Sequence, residues 1–342
     1  MSEDSICILP RLDGLGGPAS FRARLTAGLA ARGIRTHSHP EDPTCRAVLV
    51  IGGTRRLDWL LRARRRGVRI VQRLDGMNWL HRLRWAGLRH YLRSEANNAL
   101  LAFIRRWLAD RIVYQSSFTR DWWQTVRGPT PAPGVVIYNG VDLQEYTPEG
   151  AGTEERPADR WRLLVVEGHL NRAQTLALEN AIEVARWLAQ GAERPVELWV
   201  AGDISPGLRA AMELRAPGLV RWLGVIDRRL IPALDRSAHL LYSAEINPPC
   251  PNAVIEALAC GLPVIGFAAG ALPELLDADS GRMTPWGGNI WKLQKPDCEG
   301  LATAARVVLE DQPRFRAGAR ARAEKMFGLE RMVEKYLDAL LG

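Results

Sequence analysis

Lysine is almost missing from this 342-residue chain: there are four, Lys292, Lys295, Lys325 and Lys335, and none in the first 150 residues. The basic charge is therefore arginine, and it is unevenly placed. Residues 1–150 hold 23 arginines against 13 acids, net +10, whereas residues 151–342 hold 23 lysines and arginines against 25 acids, net −2. Such asymmetry implies different partners for the two halves. Cysteine is scarce too. Cys7, Cys45, Cys250, Cys260 and Cys298 are odd in number, far apart and free of any CxxC pair, which argues against a disulfide framework or a zinc site and fits a reducing cytoplasm. No apolar run reaches the roughly 18 residues of a bilayer-spanning helix. The opening residues 1–10 carry acids where a secretory leader is basic, so no leader is expected. No GxxxxGK[ST] loop, catalytic triad or metal-ligand cluster is present, and no metal is expected.

What is present is an alternation of short apolar runs with helix-length stretches. Residues 6–9 run into the glycine loop of residues 13–18, after which Phe21, Leu25, Leu29 and Ala30 recur with helical spacing. Further strand-like runs fall at 47–51, 68–71, 108–113 and 134–138, and again at 162–166, 196–200, 220–223, 239–242 and 263–266. This pattern predicts parallel sheets covered by helices on both faces. The length suits two such domains. The polar, Gly- and Pro-rich stretch 148–157 is the best linker, which divides the chain into 1–150 and 151–342. Residues 323–342 close it with an amphipathic helical pattern.

The stretch 248–266, PPCPNAVIEALACGLPVIG, resembles the signature of family 4 of the retaining glycosyltransferases, also called group 1. So do Gly270-Ala-Leu-Pro-Glu274 after it and Asn139-Gly-Val-Asp142 before the linker. With the glycine loop and the segment 116–123, the matches run in order over most of the chain. The resemblance implies a GT-B architecture: α/β, two Rossmann-like doubly wound domains facing across a cleft, with the C-terminal helix returning to the N-terminal domain. It also implies transfer of a sugar from a nucleotide-diphosphate sugar, with retention and without metal or cofactor, to a glycan or lipid-linked acceptor in glycan, glycolipid or polysaccharide synthesis. The donor would lie on the C-terminal domain, at a helix start whose unpaired N–H groups suit a diphosphate. Asn252, Ala253 and Val254 would offer those groups, and Glu256 would accept from the ribose hydroxyls. Gly16, Gly17, Gly168 and Gly270 complete the donor set, and Arg172, His169 and Asp75 are the catalytic candidates. Taken without the resemblance, the same residues also fit a proline-capped helix, a solvated glutamate and a tight glycine turn.

The chain departs from the family pattern in three places. Eight residues before Glu256, where a carboxylate would reach the transferred sugar, stands Pro248, leaving Glu245, Asn247 or loop amides to recognise it. The arginine and lysine expected after the first strand of the second domain are replaced by His169 and Gln174, with Arg172 between them. Near Asp75, where a cleft histidine is usual, the chain reads Gln72-Arg-Leu-Asp-Gly76; Asp75 and Arg73 fit either a ligand role or a buried pair. A non-catalytic GT-B partner subunit is the alternative that these departures raise. A nucleic-acid binder would suit the basic first half but has no recognised motif, so no nucleic acid is expected. Residues 79–107 combine Trp79, His81, Arg82, Arg84, Trp85, Arg89, Arg93, Arg105, Arg106 and Trp107. That mixture suits peripheral docking on an anionic membrane, and equally a solvated basic face above buried tryptophans.

Overall fold

The protein is described here by a computed structural model covering residues 4–12, 14, 16–170, 175–190 and 192–342. It consists of two compact units, residues 1–140 with 329–342, and residues 141–328. Each is built on a six-stranded sheet in which all described strand pairs are parallel.

In the first unit, β1 (Ser5–Leu9) leads through the glycine loop to α1 (Gly17–Ala30) and then to β2 (Arg35–His37). There follow β3 (Cys45–Ile51), α2 (Leu57–Arg65), β4 (Arg69–Leu74), α3 (Leu88–Phe103), β5 (Arg111–Tyr114), α4 (Ser117–Arg127) and β6 (Gly134–Val136). The sheet order is β2-β1-β3-β4-β5-β6. Side chains alternate across a strand, so Ile6 and Ile8 of β1 join the cluster of Phe21, Leu25 and Leu29, while Cys7 and Leu9 join Leu60 and Ile104 on the other face. Both faces are therefore apolar, as a parallel sheet requires.

The second unit runs β7 (Trp161–Leu170), α5 (Thr175–Gln190), β8 (Val196–Ile204), α6 (Pro206–Arg215), β9 (Val220–Gly224), α7 (Ile231–Arg236) and β10 (Leu240–Tyr242). It continues with α8 (Asn252–Ala259), β11 (Val264–Phe267), α9 (Leu272–Leu275), β12 (Gly281–Thr284), α10 (Cys298–Glu310) and α11 (Gln312–Met326), in the sheet order β12-β11-β10-β7-β8-β9. Its core gathers Leu163, Val165, Leu198, Leu240, Ile265 and Phe315. All five cysteines are buried and free.

Two expectations are corrected. The division falls between Gly140 and Val141 instead of at residue 150, because Val141 pairs with Gly328 and its amide donates to the Phe327 carbonyl at 2.9 Å. The helical pattern of residues 323–342 is broken at Gly328, and α12 (Leu329–Leu341) returns to the first unit, as the resemblance implies, so the second unit ends at Gly328 and not at residue 342. There Met332, Val333 and Tyr336 enter the cluster of α1 and β3, and the Tyr336 and Phe21 rings lie 5.0 Å apart.

The seat of α12 depends on Gly28, since a Cβ at that position would collide with the Val333 side chain. Gly28→Ala is expected to cost about 1–3 kcal/mol by overpacking, and adding Val333→Ala should recover most of the loss. Urea unfolding of the two single variants and the double variant measures this; additive losses would show that the helices do not pack through these residues.

Candidate functional site

In open parallel sheets the loops at the C-terminal strand ends carry ligands. In the second unit those loops follow β7, β10 and β11. Residues 248–251, with three prolines, lead from β10 into α8, whose N-cap is Pro251. Pro251 has no side-chain acceptor to cap the helix, and the first-turn amides of Asn252, Ala253 and Val254 point to the loop side at the positive end of the helix dipole. Glu256 follows one turn later and is buried. Gly270 has φ +59°, a left-handed conformation that favours glycine, and an added Cβ would strike the main chain of Pro248. The Ala271 amide donates to the Pro248 carbonyl at 2.7 Å, so the 270 loop clamps the 248 loop through backbone contact.

Pro248 shares a small pocket with Tyr242, Glu245, Phe267, Leu272 and Trp286. Glu245, exposed at the surface, is the acidic residue among those lining this pocket. It also acts on Glu167, half-buried near the end of β7: burial first, and the Glu245 charge second, push the Glu167 carboxyl well above the usual carboxylate range. Asn247, between Glu245 and Pro248, has φ 53° and is buried, with an Nδ2 that finds no hydrogen-bond partner among the described residues. The composition of the chain gave no signal for Glu167; only the fold brings it near Glu245.

His169 and Gly168 lie inside β7, not in a loop, with Gly168 half-buried. His169 Nδ1 is 3.2 Å from Asp203 Oδ2 on β8, both side chains being exposed. The histidine therefore already has an anionic neighbour. Arg172 and Gln174 lie outside the described residues.

In the first unit, Gly16 is the N-cap of α1 with φ 131°, a conformation reserved largely for glycine, and Gly17 and Pro18 begin the helix. Arg73 is fully buried: its guanidinium lies 3.9 Å over the Phe21 ring and donates to Asn139 Oδ1 at 2.9 Å. Its Nε and Nη1 find no hydrogen-bond partner among the described residues. Asn139 in turn donates to Gln115 at 3.3 Å, which explains the asparagine of the Asn139-Gly-Val-Asp142 stretch as an internal brace. Asp75, half-buried just past β4, is held by its carbonyl, which accepts from the Trp123 indole at 2.7 Å. Burial raises its carboxyl above the usual range, opposed by the charge of Arg73. Ser116 caps α4 by accepting from the Thr119 amide at 3.1 Å, and so sets the helix that carries Trp123. The structure thus places Gly16, Gly17, Asp75 and Arg73 in one unit and Gly168, His169, Asn252, Ala253, Val254, Glu256 and Gly270 in the other.

Sequence reading missed Asp235, a fully buried residue of α7 whose carboxyl faces Glu256 and Cys260. Burial foremost, and then the Glu256 charge, raise it well above the usual carboxylate range; Arg236 and Arg316 oppose them. Unfolded, the same group ionises near about 4. The folded state then binds the proton more tightly, so stability falls as pH rises above that value. Asp235→Asn is accordingly expected to melt higher than wild type at neutral pH, with the two converging as pH falls toward about 4. Melting temperatures that differ by the same amount at every pH would remove Asp235 as a buried titrating group.

Comparison with known proteins adds the following. The family description "Glycosyl transferases group 1" matches residues 162–311, and "Glycosyltransferase Family 4" matches residues 48–145. A GDP-mannose-dependent alpha-(1-6)-phosphatidylinositol dimannoside mannosyltransferase of Mycobacterium tuberculosis is 27% identical over 68% of this chain and 57% of its own. The chain spans about half the length of the curated relatives it matches. Among solved structures, sucrose-phosphate synthase from Thermosynechococcus elongatus superposes with TM-score 0.75 at 18% identity, covering 98% of each chain. Anabaena HepE in complex with UDP-glucose does so with TM-score 0.69 at 16% identity, over 98% of this chain and 99% of that one. The likeness to these structures is one of fold, and the fold is GT-B.

Proposed function

The chain belongs to the family 4, or group 1, glycosyltransferases, and from that premise we propose that it transfers a sugar, with retention, from a nucleotide-diphosphate sugar to a glycan or lipid-linked acceptor. One observation carries the reading: an eight-residue helix that starts at a proline N-cap and holds a buried glutamate one turn inside, in the stretch 162–311 that matches the family. The amides of Asn252, Ala253 and Val254 would take the diphosphate, and Glu256 the ribose hydroxyls. Gly168 and Gly270 would border the donor.

As the sugar leaves, charge grows on the diphosphate, and fixed donors that meet it there lower the barrier. Arg172 is the cation proposed for that charge; His169 shares its position with Asp203 and is the weaker candidate. Glu245 takes the sugar-recognising role for which Pro248 has no acceptor, and Asp75 faces the acceptor. No metal and no cofactor besides the donor enters the reaction. The acceptor side is assigned to the first unit, together with a peripheral membrane contact, and the protein to the cytoplasm.

A non-catalytic GT-B partner is the second reading, favoured by Pro248 and by the engagement of His169 with Asp203. Slow hydrolysis of a nucleotide sugar in the absence of acceptor supports the enzyme, and its absence across a panel of nucleotide sugars supports the partner.

Glu256→Ala is expected to weaken binding of the free nucleoside diphosphate by about 1.5–3 kcal/mol, measured by calorimetry, since a charged acceptor of hydrogen bonds is lost. Unchanged affinity would end the ribose assignment. Glu245→Ala should leave that affinity intact while lowering kcat/KM for the intact nucleotide sugar by about tenfold or more, because it acts on the sugar alone. Equal losses for the nucleoside diphosphate and the sugar donor would place Glu245 elsewhere.

A further inference from the structure

The outer face of α3 is apolar where water should meet it. Leu88, Leu92, Ala96, Ala99 and Phe103 are all exposed, and their spacing of four, four, three and four residues sets them in one stripe. Leu88 and Leu92 are 61% and 57% exposed, and Trp85, just before the helix, 70%. Beyond its end, the π-helical turn Ile104–Leu108 turns Arg105 inward onto Tyr114 Oη at 3.0 Å and leaves Trp107 59% exposed. Single exposed leucines need no explanation; a stripe with a tryptophan beyond each end does.

The charges beside the stripe say what covers it. Arg89 and Arg93 each follow a stripe leucine by one residue, Arg84 stands next to Trp85, and Arg106 lies 4.8 Å over the Trp107 ring. Arg84, Arg89 and Arg93 form no ion pair among the described residues. Not every arginine of this region takes part: Arg82 is spent on Glu95, at 2.6 and 2.9 Å, and Arg105 is buried. A second copy seated here would bring these arginines against their own kind, in a half of the chain that carries net +10. An anionic layer meets both the apolar stripe and its arginine edge, and tryptophan settles at such an interface.

We infer that α3, with Trp85 and Trp107, is a docking face that lies in the headgroup layer of a membrane rich in anionic lipid, its leucines inserted and Arg84, Arg89 and Arg93 on the phosphates. This rests on the acceptor reading above only in taking the membrane as the place where the acceptor is met; binding is read without donor or acceptor, so the two fail separately.

The full chain is co-sedimented with phosphatidylcholine vesicles, with and without phosphatidylglycerol, over a range of salt. Binding is expected only with phosphatidylglycerol and should fall as salt rises. The Arg84→Ala, Arg89→Ala, Arg93→Ala triple variant should bind roughly a hundredfold more weakly, each arginine near the surface being worth about a factor of five. Leu88→Ser with Leu92→Ser should lose about tenfold or more at equal charge. Leu88, Arg89, Leu92 and Arg93 are exposed and Arg84 is half-buried, and an unchanged melting temperature verifies folding. No binding to anionic vesicles at low salt overturns the proposal, as does loss in the arginine variant with none in the leucine variant. Light scattering that shows a dimer broken by the leucine variant assigns the stripe to a second copy instead, and also overturns it.

Discussion

Parallel pairing, found in every described strand contact of both sheets, dictates where this protein can do chemistry. Neighbouring parallel strands need a crossover, so helices cover both faces and the loops at the C-terminal strand ends remain open to ligands. Asp75 follows β4, Glu167 and His169 end β7, Glu245 and Asn247 follow β10, and Gly270 follows β11. Asp75, Glu167, His169 and Glu245 keep some access to solvent there, whereas Asn247 is buried.

At those strand ends geometry is held mainly by backbone. The main chain of Pro248 occupies the space that a side chain on the left-handed Gly270 would need, and this fixes the approach to α8. Proline at 248 stiffens the approach but brings no carboxylate, and Glu245 in the same pocket supplies the only acid among the described residues that line it. Carboxyls are raised at Glu167 and Asp235 in the second unit and at Asp75 in the first. Each has burial as its main cause, so each holds a proton above the usual range at some expense of stability, an arrangement more common near functional sites than elsewhere.

The first unit shows how arginine can serve opposite ends. Arg73 and Arg105 are buried, one over Phe21 and the other on Tyr114, where a planar guanidinium stacks and hydrogen-bonds with little desolvation penalty compared with an ammonium. Arg84, Arg89 and Arg93 project beside an apolar stripe.

Much of the fold was legible in the amino-acid order. Apolar runs such as residues 47–51 and 196–200 bounded by glycine or helix-length stretches marked strands, because burial on both faces leaves that pattern locally. The colinear motifs marked the α8 start and Glu256 for the same reason: they are contiguous. The edge strands β2 and β12 were not legible, since Arg35-Thr-His37 is short and polar, and Gly281-Arg-Met-Thr284 is only half-buried. Nor was the return of α12 to the first unit at Gly28 in its packing detail, the pairing of His169 with Asp203, the proton held on Asp235, or which arginines face outward. Arg82 and Arg84 look alike in sequence; Glu95, 13 residues from Arg82, engages one of them. Periodicity along the chain decided the elements and contiguous motifs carried the resemblance to the family, whereas the neighbours that set charge, burial and exposure come from distant segments and were decided only when the chain folded.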